Sequence, residues 1–132
     1  MRLVLTALIF VGGLFFALFG LAFLFEPEVA GAALGLAGRT PQGLATLRAE
    51  FLSYFGTIGI CMIWGAWKRN GDVLLIPAIM MTLAIAGHLV SAATDGAFEG
   101  FVALLLIESV FAVLLLSARN LLPHHTVEEI TG

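Results

Sequence analysis

An all-α integral membrane protein, built as an antiparallel four-helix transmembrane bundle, is the fold class that this chain of 132 residues predicts. Three observations predict it. Hydrophobic residues make up 61% of the chain and charged ones 11%, with a mean hydropathy of +1.08, where soluble domains run at roughly 45 to 50% and about 25%. That much apolar surface exceeds what a soluble core of this size buries, and the bilayer is the solvent that fits. The apolar residues fall into four stretches near the 20 residues a helix needs to cross the ~30 Å hydrocarbon layer. Within those stretches small residues recur at helical spacing, the pattern by which helices approach one another in lipid.

The chain reads as one membrane domain, 1–132, with spans at 3–25, 50–67, 73–94 and 101–118. The first ends at Glu26-Pro27 and exceeds the 7 to 15 apolar residues of a cleavable signal, so it reads as a retained span. The second stops at Lys68-Arg69-Asn70-Gly71-Asp72, the third at Asp95-Gly96 and the fourth at Arg119-Asn120. Backbone groups in hydrocarbon must pair within the segment, so each span is expected to be helical.

Between the first two spans, residues 27–37 carry Val29, Ala30, Ala33, Leu34, Leu36 and Ala37 after Pro27. Proline suits a helix start, and the spacing predicts a short interfacial helix ended by Gly38. The remainder, 119–132, reads as a polar tail with the i,i+4 pairs His124/Glu128 and His125/Glu129. Lys and Arg distribute as Arg2, Lys68, Arg69 and Arg119 on one side against Arg39 and Arg48 on the other, which predicts cytoplasmic termini. Trp64 and Trp67 beside Lys68-Arg69 suit the headgroup level at that end.

Small residues mark the expected packing faces. In the second span Ser53, Thr57, Cys61 and Gly65 recur every four residues; in the first, Gly13 and Ala17; in the third, Ala84, Gly87 and Ser91. Against this background only Glu50, His88 and Glu108 are titratable within or at the edge of a span. Such groups are costly in hydrocarbon and usually face the bundle interior or water. His88 and Glu108 lie at about the same depth on consecutive antiparallel helices, given a rise of about 1.5 Å per residue. Glu50, Tyr54, Thr57 and Cys61 share one face, and His88, Ser91 and Asp95 another. The expectation is an outward polar site for a small ligand or a proton, made by Glu50, Tyr54, His88, Ser91 and Glu108. An interhelical hydrogen-bond network holding the bundle in register is the structural alternative.

Other chemistries find little support in the residues. The longest basic run is Lys68-Arg69, too short a footprint for nucleic acid. Cys61 is the only cysteine, so the chain alone makes no disulfide or thiolate metal site. No motif asks for a metal or other cofactor, and no nucleophile elbow or His-Glu-x-x-His pattern marks an enzyme. Gly31-x-x-x-Gly35-x-x-Gly38 lacks the preceding strand and the following Lys-Ser or Lys-Thr of a phosphate loop.

Taken in order, Phe25-Glu26-Pro27-Glu28, Leu34-Gly35-Leu36, Arg48-Ala49-Glu50-Phe51 with Tyr54 and Gly56, Gly87-His88-Leu89 with Ser91 and Asp95-Gly96, and then Glu108 resemble the membrane family called domain of unknown function 4345. The similarity runs to about Ser117. It implies a small four-helix protein of the bacterial inner membrane and no activity; in layout the chain more distantly resembles DoxX-like proteins. Where the resemblance implies a basic residue, often Arg, this chain carries His88. The partners expected are the lipid bilayer and another membrane protein or a second copy. The leading functional expectation is a non-enzymatic accessory or interaction subunit. A binding protein or carrier for a small or lipid-like ligand and a membrane enzyme on a lipid or quinone-like substrate are the alternatives.

Overall fold

Apolar composition and helical spacing produce helices throughout the computed structural model, which describes residues 2–123. In chain order they are α1 (Arg2–Phe25), α2 (Pro27–Ala32), α3 (Pro41–Thr46), a π turn (Leu47–Phe51), α4 (Leu52–Lys68), α5 (Leu75–Thr94) and α6 (Phe101–Leu121). Four helical segments are long and apolar enough to cross a membrane: Arg2–Phe25, Pro41–Lys68, Leu75–Thr94 and Phe101–Leu121. They form the four-helix bundle the sequence predicts, and there is no strand among the described residues. The paired histidines and glutamates of the tail lie outside the described residues.

Local chemistry accounts for the helix ends, some of which differ from the expectation. Pro27 opens α2, and Gly35 ends it: at φ 73 it occupies the left-handed position, with Leu36 N–H donating to Gly31 O at 2.8 Å and Gly35 N–H to Ala32 O at 3.0 Å. These are the paired bonds of a glycine-terminated helix, so the stop comes at Gly35 and not Gly38. Gly38 instead packs tightly, since a methyl there would stand 2.8 Å from Leu44 Cδ2. The second span begins well before residue 50. Thr40 caps it, its hydroxyl accepting from Gly43 N–H at 3.0 Å, and Pro41 fills the first helical turn where no N–H is needed. Arg119 belongs to α6, which runs past the expected residue 118 to Leu121.

Packing divides the bundle into two pairs. α1 and α4 lie closest, α5 and α6 form the second pair, and contacts between the pairs are sparser. At the α1–α4 crossing the backbones nearly touch. A methyl on Gly59 would stand 2.5 Å from Ala17 N and 2.7 Å from Gly13 O, and one on Gly13 would stand 2.9 Å from Ile63 N. Gly13 and Ala17 thus serve the close contact expected of them, but their partner on α4 is Gly59. Ser53 and Thr57 are exposed on another face of α4, Cys61 is half-buried, and Gly65 closes against Leu74. The small face of α5 is also unpartnered at Gly87, where nothing lies within 4 Å of an added methyl.

Burial is uneven along the bundle. The fully buried residues of α5 are Pro77, Ala78 and Met81, and those of α6 are Ala112, Leu115 and Ala118, all toward the end carrying Arg2, Lys68, Arg69 and Arg119. Ile9, Ile58, Met62 and Leu74 complete that core. Toward the opposite end α5 and α6 bury no residue fully, and α1 with α4 close instead on Ala30 and Leu47 through stacked rings. Phe23 stacks on Phe51 with centroids 4.8 Å apart, and Phe19 meets Phe55 edge-on at 4.8 Å. The two pairs are therefore zipped at the cationic end and parted at the other. Leu83, Val90, Leu106 and Val110 face outward, as spans immersed in lipid require.

Replacing Gly59 by Ala forces backbones apart and is expected to lower stability by about 1 to 3 kcal/mol, the usual cost of overpacking. Gly87→Ala, entering open space, is expected to leave it unchanged or raise it; thermal unfolding in mild detergent compares the two.

Candidate functional site

The parted half of the bundle holds most of the polar side chains singled out in the sequence. Antiparallel packing of α5 on α6 sets His88, six residues before the end of α5, opposite Glu108, seven residues after the start of α6, each about 9 to 10 Å from its helix end. Their side chains meet: His88 Nε2 lies 3.2 Å from Glu108 Oε1. His88 retains 34% of its side-chain exposure and Glu108 only 13%, so the imidazole is the reachable member and the carboxyl the enclosed one. Glu108 Oε2 is buried with no hydrogen-bond partner among the described residues. A buried acceptor without a donor carries a desolvation cost of about 1 to 3 kcal/mol, which a donor arriving from outside relieves.

A third helix reaches the pair. The Tyr54 phenol of α4 lies within electrostatic range of Glu108. Tyr54 is also a wall of an open cleft of about 550 Å³, lined by Glu50, Phe51, Ser53, Thr57 and Met80 as well. Glu50 stands exposed at its mouth, on the π turn. Met80 is the α5 residue in this lining, fourteen residues and about 20 Å before the end of that helix. The small residues Ser53 and Thr57, expected to pack against a neighbour, line this cleft instead, because Gly59 turns another face of α4 toward α1.

The five expected site residues therefore do not converge on one point. His88 and Glu108 bond directly, Tyr54 links them to the cleft, and Glu50 belongs to the cleft's rim. Ser91 is apart: its hydroxyl donates to Asp95 Oδ2 at 3.5 Å, while Thr94 donates to the same oxygen at 3.0 Å, closing the end of α5. Three participants had no distinct signal in the sequence. Phe51 and Met80 line the cleft, and Phe98 packs edge-on to the His88 ring with centroids 6.4 Å apart. Phe98 lies in the α5–α6 turn between Gly96 and Gly100, both at positive φ, and that pairing of turn glycines was the one available hint. Among the described residues, no three His, Cys, Asp or Glu side chains gather as metal ligands.

The arrangement offers a proton shared between imidazole and carboxyl, a free carboxyl oxygen and a phenol, next to a cleft of mixed character. If the pair ties α5 to α6, a double-mutant cycle of His88→Ala with Glu108→Gln is expected to show a coupling of about 0.5 to 1.7 kcal/mol, the range of interhelical polar contacts in membranes. Unfolding in bicelles measures it.

No match is found among the curated proteins or the solved structures. The model of one family, described as Domain of unknown function (DUF4345), matches residues 4–118, which takes in the second and third spans whole, nearly all of the first and fourth, the His88–Glu108 pair and every residue of the cleft. By that match the chain is a member of the DUF4345 family.

Proposed function

We propose that the protein is a membrane-embedded binding protein whose α4–α5 cleft takes a small amphipathic ligand with a hydrogen-bond-donating head. The observation that carries this reading is the buried, unpartnered Glu108 Oε2, within electrostatic range of Tyr54, whose other side is a wall of the cleft of about 550 Å³. Buried polar atoms in hydrocarbon are expected to be paired, and an orphan acceptor at a cavity marks where a ligand donor belongs. Glu50 at the rim adds a second acidic group, so a hydroxyl or ammonium head suits the site and an anionic head does not. Ser53, Thr57 and Met80 suit the ligand's less polar part. The parted helix pairs give it entry from the side. Positive charge at the Arg2, Lys68, Arg69 and Arg119 end supports a cytoplasmic face there and an outward cleft, in the bacterial inner membrane that the family resemblance implies.

A long-chain amino alcohol and a long-chain fatty acid, both spin-labelled, test this with the protein in nanodiscs. The amino alcohol is expected to bind and the fatty acid not to. Glu108→Gln and Thr57→Trp, one removing the acceptor charge and the other filling the cleft, are each expected to weaken binding about tenfold, the equivalent of one hydrogen bond to a charged group. Equal binding of both probes, or undiminished binding by folded Thr57→Trp, would sink the reading.

A second reading, an interaction subunit for another membrane protein or a second copy, is favoured by the open small face of α5 at Gly87. Faces of this kind let another helix approach closely. Gly87→Cys is then expected to form disulfide-linked dimers in native membranes if the partner is a second copy.

A further inference from the structure

At the opposite end of the bundle from the cleft lies a second cavity, of about 280 Å³, bounded by Arg2, Leu3 and Thr6 of α1, Arg69 after α4, and Leu121 and Leu122 at the end of α6. Charge is concentrated at this end. Arg2, Lys68, Arg69 and Arg119 gather there with Asp72 as the one acid among the described residues, while Glu26, Glu28, Glu50, Asp95 and Glu99 lie at the other end with Arg39 and Arg48. The Thr6 hydroxyl donates to Arg2 O at 2.9 Å, and the charged side chains bordering the cavity are the two guanidinium groups.

Arg69 is held there against its backbone preference. It sits at φ 51, ψ 41, with its N–H donating to Ala66 O at 3.3 Å and Asn70 N–H donating to Gly65 O at 2.9 Å. This is the left-handed closing position of a helix, where glycine fits without strain and a side chain does not. Helix termination alone is served better by glycine. An arginine in that place points to a role for its side chain, and the side chain borders the cavity.

Guanidinium groups match phosphate oxygens in pairs, and a basic pocket between spans at the headgroup level is the chemistry that holds anionic lipid heads. The apolar wall of Leu3, Leu121 and Leu122 separates a lipid from a free anion, since inorganic phosphate has nothing to set against it. We propose that this cavity binds the phosphate of an anionic phospholipid from the adjoining leaflet, Arg2 and Arg69 holding the phosphate oxygens and the three leucines lying along the first part of the acyl chains. The site is independent of the cleft and of its ligand.

Native mass spectrometry of the full chain, released from nanodiscs of phosphatidylglycerol and phosphatidylcholine in equal parts, tests it. The wild type is expected to retain phosphatidylglycerol about tenfold over phosphatidylcholine. Arg2→Gln with Arg69→Gly is expected to abolish the preference. Arg69→Gly alone is expected to reduce it while keeping or raising the melting temperature, because glycine relaxes the backbone, so loss of binding is read apart from loss of fold. Lys68→Gln, adjacent but outside the cavity, is expected to keep the preference. The proposal is overturned by equal retention of the two lipids, by an undiminished preference in folded Arg69→Gly, or by Lys68→Gln acting as strongly as Arg69→Gly, which would reduce the effect to surface charge. Displacement of the retained lipid by inorganic phosphate at millimolar concentration would overturn the lipid assignment in favour of the free anion; resistance to it supports the lipid.

Discussion

The backbone contact at Gly59 is the constraint from which the remaining geometry follows. Lipid offers no hydrophobic reward for bringing helices together, so close packing of backbone on backbone is what holds α1 against α4. That contact fixes the rotation of α4. With Gly59 turned toward Gly13 and Ala17, Ile58 and Met62 enter the shared core, and Ser53, Tyr54 and Thr57 are carried round to face α5. The cleft is the consequence of a small residue placed elsewhere on the same helix.

α5 and α6 answer to a different force at each end. In the cationic half, Ala78, Met81, Leu115 and Ala118 interlock with Met62, Ala66 and Leu74 and need no polar help. In the other half no such core exists, and the His88–Glu108 contact is the polar link between the two helices. One contact thus has two aspects. It restrains the parted ends of α5 and α6, and it encloses a carboxyl oxygen that has no partner among the described residues. A ligand bound there would act on the separation of the pairs as well as on the carboxyl.

Hydropathy made the spans legible, because Lys68-Arg69 and Asp95-Gly96 interrupt apolar runs that have no other explanation. Depth made the His88–Glu108 pairing legible, since rise per residue places both groups at one level whatever the packing. Rotation was not legible. α4 carries small residues on two faces, Gly56 and Gly59 on one side and Ser53, Thr57 and Cys61 on another, and spacing alone favours neither. Choosing between them needs the partner helix, where Gly13 and Ala17 leave room for a residue with no side chain at all. Ser91 shows a related limit: helical spacing put it on one face with both His88 and Asp95, and its hydroxyl goes to Asp95, as short polar side chains near a helix end commonly find local partners.

The π turn at Leu47–Phe51 joins α3 to α4 without a break, yet it contains one residue more than an α-helical turn would hold. The two helices it connects are therefore out of phase by about 100°, the angle of one residue. Chain length at this point works as a rotary setting. Loss of a single residue can convert the segment into one uninterrupted α-helix with its backbone bonds intact, swinging α3 round the axis and moving Glu50 off the rim while every residue of α4 keeps its place. Descent within the family thus has a way to recast the mouth of the cleft by insertion or deletion, leaving untouched the glycine contact on which the bundle is assembled.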